Sequence, residues 1–309
     1  MTGDGAVTLT AVVPATNRPP TLERCLTAIH DARKAPEEVV VVEEPLGMGP
    51  GRARNEGAER AHGDVLVFVD ADVVVHADAF VRIREAFAAD GALTAVFGSY
   101  DDRPEASGTV SGFRNLLHHH VHQTAAGPVR SFWAGLGAIR RDAFFEVGGF
   151  DAERFPRPSI EDVELGFRLS SRGARIQLDG GLQGTHLKAW SVGEMIRTDL
   201  VRRGVPWVAL LARERALPSD LNLAWRHRAG AVLSLAFVGA LAARRPAAAA
   251  AALVALVALN RSFYRLLARQ RGAGQAVAGV GLHVVHHLSG AAAVPLGAAA
   301  HLVARDGDR

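Results

Sequence analysis

Two carboxylates, one residue apart, follow a run of apolar residues in the first quarter of the chain. Residues 65–69 are β-branched, aromatic or leucine, which predicts a strand buried on both faces, and Asp70 and Asp72 come directly after it. In a parallel α/β sheet, ligands bind outside the carboxyl ends of the strands. Oxygen donors at this spacing suit a hard divalent cation and the phosphates that it carries. An ordinary acidic turn is the alternative interpretation of the pair taken alone.

Two more acids and a histidine are further candidates for catalysis or ligand binding. Ser159 is predicted to cap a helix whose first turn holds Glu161 and Asp162, where the helix dipole favours carboxylates. Acids in a first helical turn also occur without any catalytic role. His186 follows a predicted strand at 176–178, and a lone histidine is more often a core or surface residue than a ligand.

The elements that must position these residues alternate along the chain. The sequence predicts strands over 7–13, 38–42, 65–69 and 93–99, and helices over 21–30, 52–58 and 80–90. This alternation is typical of a doubly wound α/β domain with a mostly parallel sheet that binds a nucleotide. The loop at 47–51 is neither a Walker A sequence nor a G-x-G-x-x-G sequence, which argues against a P-loop or an ordinary dinucleotide site.

Residues 101–127 lack a clear period and contain a cluster of histidines. His118, His119 and His120 are adjacent, and His122 follows them. Because adjacent residues point in different directions on a helix, we expect a solvated or lipid-surface helix here. A metal site is the alternative interpretation of such a cluster.

Charge and apolar content are unevenly distributed over the 309 residues, of which 49% are hydrophobic. Residues 200–309 hold fourteen arginines, no lysine and four acids, a net charge of about +10, in a chain whose net charge is +3. Arginines that flank apolar runs suit anionic lipid headgroups better than nucleic acid. Cys25 is the single cysteine, so no internal disulfide forms and a reducing compartment is the simpler expectation.

The C-terminal part of the sequence is predicted to associate with a membrane. The stretch 197–217 has the pattern of amphipathic surface helices. The apolar runs 229–243 and 247–259 are shorter than the ~20 residues that a span needs, whereas 273–304 is long enough. The arginines of 261–271 are expected in a basic cytoplasmic loop. His283, His286 and His287 are expected to form helix–helix hydrogen bonds, with contact to a lipid phosphate as the alternative.

Five motifs in order give the chain a family resemblance over about residues 7–190. They read VVPATNRP, VVVEEP, GPGRARNEGAERAHGDVLVFVDAD, GLGAIRRDAFFEVGGFD and IEDVELGFRLSSRG. The sequence resembles family 2 glycosyltransferases of the A-type fold, and the stretch after residue 186 is similar to membrane-attached bacterial members. The resemblance implies a divalent metal, Mn²⁺ or Mg²⁺, a nucleoside-diphosphate sugar as donor and the following roles.

The donor and metal roles fall on the first motifs. Pro14 and Thr16 would line the nucleotide pocket, and Glu43 would contact the base. Arg54 and Asn55 would lie along the base and diphosphate. Asp70 would face the ribose and metal, and Asp72 would bind the metal. His186 would be a third metal or diphosphate contact. On the acceptor side, Asp162 would be the base that deprotonates the acceptor hydroxyl, with Glu161 beside it.

The sequence departs from the family pattern in two places. Glu43-Glu44-Pro45 replaces the usual Asp-Asp-Gly-Ser, which leaves open which glutamate contacts the base and which base it recognises. No Gln-x-x-Arg-Trp follows His186, which argues against a processive cellulose- or hyaluronan-type synthase.

These observations predict a metal-dependent inverting glycosyltransferase anchored in the inner membrane. We expect a catalytic domain over 1–195, membrane-surface helices over 196–228 and a transmembrane region over 229–309. The N-terminus has no basic region followed by an apolar core, so we expect no secretory signal and a cytoplasmic catalytic domain. The expected acceptor is a lipid or lipid-linked saccharide. The alternatives are a soluble or protein acceptor, an inactive nucleotide-sugar-binding scaffold and a nucleotidyltransferase for lipid heads.

Overall fold

The computed structural model describes residues 7–214, 221 and 224–307. The chain divides into two compact units, one formed by 1–105 with 122–188 and the other by 106–121 with 189–309. This division differs from the one expected from the sequence, because 196–228 and 229–309 fall in one unit and 106–121 joins them. Part of the predicted surface-helix region, 215–220 and 222–223, lies outside the described residues.

An eight-stranded sheet, counted over the described residues, forms the centre of the first unit. Its strands are β1 (Leu9–Pro14), β2 (Glu38–Val42), β3 (Val65–Val69), β4 (Val73–Val75), β5 (Leu93–Tyr100), β6 (Gly127–Val129), β7 (Leu136–Arg140) and β8 (Arg175–His186). The strand order is β2-β1-β3-β7-β5-β8-β4, and β6 pairs with β8 beside this path.

The sheet is mixed, and five of its eight described strands run in one direction. β1 is parallel to β2 and β3, and β5 is parallel to β8, whereas β7 lies antiparallel between β3 and β5. β4 and β6 are antiparallel to β8. The predicted α/β class is confirmed. The carboxyl ends of β2, β1, β3, β5 and β8 lie at the same edge of the sheet.

The short strand β4 was not predicted, and it decides where the acidic pair lies. Val73 pairs with His186, so the chain turns back onto β8 immediately after Asp72. Val73 N–H donates to the Asp70 carbonyl at 2.9 Å, which closes the turn. Asp70 and Asp72 therefore occupy a tight turn between two strands, with His186 on the neighbouring strand.

The first six helices are α1 (Leu22–Asp31), α2 (Pro50–Arg60), α3 (Ala79–Ala89), α4 (Thr109–Thr124), α5 (Arg141–Glu146) and α6 (Glu161–Ser171). The histidine cluster was expected on a solvated or lipid-surface helix. It lies on α4, which is not solvated, because most of its residues between Ser111 and His122 are buried or half-buried. The predicted cap of α6 is wrong: Ile160 precedes the helix, and Ser159 supplies a backbone N–H to the Glu161 carboxylate at 2.9 Å.

The core of the first unit is built on β3. All five of its residues are fully buried, as their apolar character predicts. Phe68 packs against two rings from the segment after β7, with ring centroids 5.5 Å from Phe144 and 5.2 Å from Phe150. These contacts fix the chain that leads from β7 towards α6.

The second unit contains six further α-helices among its described residues. They are α7 (Val192–Arg197), α8 (Val205–Glu214), α9 (Trp225–Ala242), α10 (Pro246–Leu259), α11 (Arg261–Arg271) and α12 (Ala273–Gly307), and a π-helical segment, Thr198–Gly204, connects α7 to α8. The expected basic loop at 261–271 is instead the helix α11. Its apolar side buries Phe263, Tyr264 and Leu267, which a loop would expose.

One described helix stretch, Ala273–Val303, is long and apolar enough to cross a bilayer, and α10 with α11 passes the same test only as a pair bent by 75°. Of His283, His286 and His287 on α12, the first two make the expected hydrogen bonds to other helical segments, whereas Nε2 of His287 is buried without a hydrogen-bond partner among the described residues. The Tyr264 hydroxyl on α11 lies 2.9 Å from Nδ1 of the buried His283, and Nδ1 of His286 lies 2.8 Å from the Asp199 carboxylate.

Replacing Phe68 with alanine tests the β3 core. Phe68→Ala is expected to lower the free energy of unfolding by about 3–5 kcal/mol, because the fully buried ring leaves a cavity among aromatic neighbours. The measurement is urea unfolding of both proteins. Phe145→Ala, at a ring that is 39% exposed, is the control and should change stability by about 0.5 kcal/mol or less. Equal effects of the two substitutions would contradict the assignment of β3 to the core.

The single cysteine provides a second test. Cys25 is fully buried on α1, and burial, with Asp70 and Asp72 adding to it, raises the pKa of its thiol to about 12. Because the thiolate is the reactive form, the native protein at pH 8 should react with a thiol reagent only at the rate of local opening. Unfolded protein should react at once, with one equivalent per chain. Rapid labelling of the folded protein would show that Cys25 is not buried.

Candidate functional site

The loops after β1 and β2 lie side by side at the common edge of the sheet. Pro14, the last residue of β1, pairs with Val42, the last residue of β2. Thr16 is buried, donates its hydroxyl to the Met48 carbonyl at 2.6 Å and accepts from the Gly47 N–H at 3.0 Å. Thr16 therefore connects the two loops, as expected of a pocket wall.

The two glutamates after β2 differ in their partners. Glu44 accepts from the Arg18 guanidinium at 2.6 Å and from the Leu46 N–H at 3.1 Å. Glu43 is exposed at the carboxyl end of β2. Of the two acids, Glu44 is therefore the one that holds its own loop and the loop after β1.

The start of α2 is held close to the segment before α6. Gly49 precedes Pro50, the first helical residue, and a Cβ atom at position 49 would lie 2.2 Å from the Pro156 carbonyl oxygen. Glycine is therefore required at this close approach. The contact brings Arg54 on α2 within reach of Glu161 on α6.

Asp72 and His186 come together at the turn between β3 and β4. The Asp72 carboxylate lies 3.4 Å from Nε2 of His186, and the Asp72 carbonyl accepts from the Leu187 N–H at 2.9 Å. The His186 ring stacks on Tyr100, with centroids 4.1 Å apart and planes 7° from parallel. This pair lies at the edge of the sheet. The Asp72 side chain is 30% exposed, so solvent reaches its carboxylate.

Arg54 is placed differently from the role that the resemblance implies. Its side chain is 5% exposed and bridges two acids, at 2.6 Å from Asp70 and 3.1 Å from Glu161. A guanidinium enclosed in this way is committed to protein carboxylates and does not extend along a base or diphosphate. Glu161, predicted beside the catalytic base, is likewise buried in this pair and is not a free proton acceptor.

Asn55 also differs from its implied role. Its amide donates to the Phe150 carbonyl at 2.8 Å, and its amide oxygen accepts from the Phe150 N–H at the same distance. Both polar ends of the side chain are thus used to hold the Gly148-Gly149-Phe150 turn. Asn55 therefore fixes the chain between α5 and α6, and both polar ends of its side chain are used there and not on a nucleotide.

Asp162 remains half-exposed at the start of α6. One carboxylate oxygen accepts from the Ala134 N–H at 3.3 Å and the other from the Val163 N–H at 2.8 Å. The helix can approach this segment because Gly166 faces it: a Cβ there would lie 2.3 Å from the backbone nitrogen of Phe132. Two backbone donors thus orient Asp162 towards the same edge as Asp72.

Charge and burial act in opposite directions in this group of acids. Burial raises the pKa of Asp70, and the adjacent Arg54 opposes that change. Burial also acts to raise the pKa of Asp72, but the hydrogen bond and charge of His186, with the charge of Lys188, outweigh it and lower the pKa. For Arg54, burial is outweighed by Asp70 and Glu161, which raise the pKa of the guanidinium. The site therefore contains a permanently charged bridge.

Asp72 and His186 are the two side chains at this edge that could hold a divalent cation. Asp70 does not join them, because its carboxylate is paired with Arg54, and no group of three or more His, Cys, Asp or Glu side chains among the described residues is arranged as a metal cluster. A carboxylate and an imidazole side by side still suit Mn²⁺ or Mg²⁺ when phosphate oxygens and water complete the shell.

Two aromatic residues at this edge were not identified from the sequence. Tyr100 ends β5 and carries His186 on its face, and Trp133 contacts Tyr100 edge-on, with ring centroids 4.9 Å apart. Tyr100 directly follows the predicted strand 93–99. Its position at the end of a strand, on the same edge as Asp70, is the feature of the sequence from which Tyr100 could have been identified.

Comparison with known proteins agrees with the fold and the motif order. Residues 31–148 match the family model described as Glycosyl transferase family 2. Poly-beta-1,6-N-acetyl-D-glucosamine synthase of Staphylococcus aureus is 26% identical over 152 residues, which cover 47% of this chain and 36% of that protein. Validoxylamine A glucosyltransferase of Streptomyces hygroscopicus subsp. limoneus is 26% identical over 225 residues, 53% of this chain and 48% of that protein. The chain thus matches less than half the length of these curated relatives.

A solved structure supports the fold over almost the whole chain. The mannosyltransferase PcManGT from Pyrobaculum calidifontis, solved with GDP-Man and Mn²⁺, superposes with a TM-score of 0.57 at 18% identity, covering 93% of this chain and 87% of that one. At this identity the likeness shows the fold. The sheet, the order of the motifs and this match agree that residues 31–148 carry a glycosyltransferase family 2 domain, with the A-type fold in the first unit.

Proposed function

We propose that this chain transfers a glycosyl group from a nucleoside-diphosphate sugar to a lipid or lipid-linked acceptor, with inversion at the anomeric carbon. The observation that carries the proposal is the difference between neighbouring acids at one edge of the sheet. Asp70 and Glu161 are paired with the buried Arg54, whereas Asp72, two residues after Asp70, lies beside His186, and Asp162, next to Glu161, accepts from two backbone N–H groups.

The donor side of the site is formed by the loops after β1, β2 and β3. Thr16 and Pro14 line the pocket, and the Glu43 carboxylate would accept N–H groups from the base. Asp72 and His186 would hold a divalent cation, which when bound neutralises negative charge on the leaving diphosphate. The GDP-Man and Mn²⁺ in the solved mannosyltransferase support a nucleoside-diphosphate sugar and a divalent cation for this chain.

The acceptor side is formed by Asp162. Its carboxylate would take the proton from the acceptor hydroxyl as that oxygen bonds to the anomeric carbon and the bond from this carbon to the diphosphate breaks. The N–H groups of Ala134 and Val163 fix the orientation of the carboxylate. With one acid on the donor side and one on the acceptor side, a single direct displacement is the simplest mechanism, and it inverts the anomeric centre.

The surface of the second unit supports a membrane-bound acceptor. Among the described residues, all the exposed large apolar side chains except Leu46 and Phe145 lie in this unit, many of them on α9, α10 and α12. Apolar surface of this extent marks contact with lipid or protein. On α11, Arg261, Arg265 and Arg269 form an exposed stripe with a four-residue spacing, opposite the buried apolar side. A cationic stripe beside apolar helices fits an anionic membrane surface.

Release of nucleoside diphosphate tests the activity and the base together. The purified protein in detergent receives UDP-, GDP- and dTDP-sugars with Mn²⁺ or Mg²⁺, and polyprenyl phosphate or a total lipid extract as acceptor. We expect release from one donor that requires metal and lipid. Asp162→Asn should lower kcat for a hydroxyl acceptor by about 10²–10⁴-fold, because the amide cannot take the proton.

Asp142→Asn is the matched control, because Asp142 is also a first-turn acid that accepts from the next backbone N–H, on α5 and exposed. It should leave kcat unchanged. Donor binding without release by the wild type would support an inactive scaffold, and release of pyrophosphate would support a nucleotidyltransferase. Transfer to a soluble acceptor without lipid would contradict the lipid acceptor.

Membrane attachment is tested on the full chain in isolated membranes. Because the apolar helices would lie in the hydrocarbon region, we expect the protein to stay in the membrane pellet through both high salt and alkaline carbonate, and to be extracted only by detergent. Release by high salt alone would show that only the arginine stripe contacts the membrane. A protein recovered in the soluble fraction without treatment would contradict the attachment.

A further inference from the structure

Arg54 joins two elements that are far apart in the sequence. Its two terminal nitrogens take separate partners: one lies 2.6 Å from Asp70 in the turn after β3, and the other 3.1 Å from Glu161 at the start of α6. Its Nε is buried and has no hydrogen-bond partner among the described residues. The guanidinium is therefore oriented to reach both carboxylates, even though one of its own donors is left unused.

The bridge closes a ring of contacts around the site. Asp70 N–H donates to the Gly135 carbonyl at 3.0 Å, and the adjacent Ala134 N–H donates to Asp162 at 3.3 Å. Asp162 directly follows Glu161, which returns to Arg54. Each member of the ring thus fixes the next, and the start of β7 is held between the two acidic segments.

We propose that Arg54 is a positioning residue that sets the separation between the donor-side Asp72 and the acceptor-side Asp162. It touches neither the donor nor the acceptor. It acts through Asp70 and Glu161, whose neighbours face the reaction. This inference rests on the proposed function for its kinetic consequence, but the bridge itself can be tested without activity.

Arginine is required here because of its shape. A guanidinium offers parallel and divergent N–H groups in one rigid plane and can hold two carboxylates at a fixed distance. A lysine ammonium in the same place keeps the positive charge, but it is a single point that cannot hold both acids in the same geometry. Arg54→Lys therefore separates the effect of position from the effect of charge.

The kinetic test compares Arg54→Lys, Glu161→Gln and the double variant with the wild type. Because misplacement of a reacting group by about 1 Å can cost about 10²-fold, we expect Arg54→Lys to lower kcat by about 10–10²-fold with less than about a threefold change in the donor KM. Glu161→Gln should have a similar effect. The double variant should lose no more than the larger single effect, because both changes break one bridge.

Arg168→Lys is the matched control. Arg168 also pairs with a buried carboxylate of α6, Glu164, at 2.7 Å, but it contacts neither Asp70 nor Glu161. Arg168→Lys should lower the melting temperature about as much as Arg54→Lys and leave kcat close to that of the wild type. A kcat loss as large in Arg168→Lys as in Arg54→Lys would reduce Arg54 to a general role in stability. A loss confined to the donor KM would place Arg54 on the nucleotide and overturn the inference.

Hydrogen exchange provides the readout that does not depend on activity. The N–H groups of Ala134 and Val73 report on the two sides of the ring, because they donate to Asp162 and to the Asp70 carbonyl. We expect both to exchange faster in Arg54→Lys and to keep their wild-type rates in Arg168→Lys. Unchanged exchange in Arg54→Lys would overturn the positioning role. A wild type that shows this exchange pattern but releases no nucleoside diphosphate would contradict the proposed function and leave the bridge supported.

Discussion

The acidic edge of the sheet depends on one buried guanidinium between two carboxylates. Removing charges from water costs several kcal/mol per ion, so a buried pair is maintained only where geometry and hydrogen bonds compensate, and removing one partner costs about 3–5 kcal/mol. Arg54 meets that condition by contacting Asp70 and Glu161 with separate nitrogens. The result is chemical as well as structural. Of two acidic pairs in the sequence, one member of each is paired with Arg54, and the other has different partners: His186 for Asp72 and backbone N–H groups for Asp162.

The sheet brings these groups together because of the direction of its strands. Five carboxyl ends share one edge, and the antiparallel β7 enters between β3 and β5, so that its first residues lie beside the acidic turn. Ala134 and Gly135 can then contact Asp162 and Asp70 through the backbone. A fully parallel sheet would place the amino end of that strand at the opposite edge. The mixed topology is therefore what joins the turn of Asp70 to Asp162.

The second unit has a different physical character. Its helices leave many large apolar side chains exposed, whereas the first unit buries nearly all of its own among the described residues. The amphipathic α11 illustrates the principle locally: Phe263, Tyr264 and Leu267 pack inwards, and the arginines lie on the other side. Among the described residues, the two units therefore differ in the surface that they present, one mainly polar and one with many apolar side chains.

The sequence by itself determined β1, β2, β3, β5, part of β8 and the order of the motifs that carry the family resemblance, because apolar periodicity and short motifs are local properties of a chain. It also placed Asp70 and Asp72 at the edge where strand ends meet in such a fold. Only the tertiary structure decided that Arg54 and Glu161 are partners, because they lie 107 residues apart and spacing carries no information about such a pair. The same holds for Asn55, whose partner Phe150 lies 95 residues away. Side-chain availability depends on long-range packing, and local pattern predicts a residue's place in an element but not the partner that already occupies it.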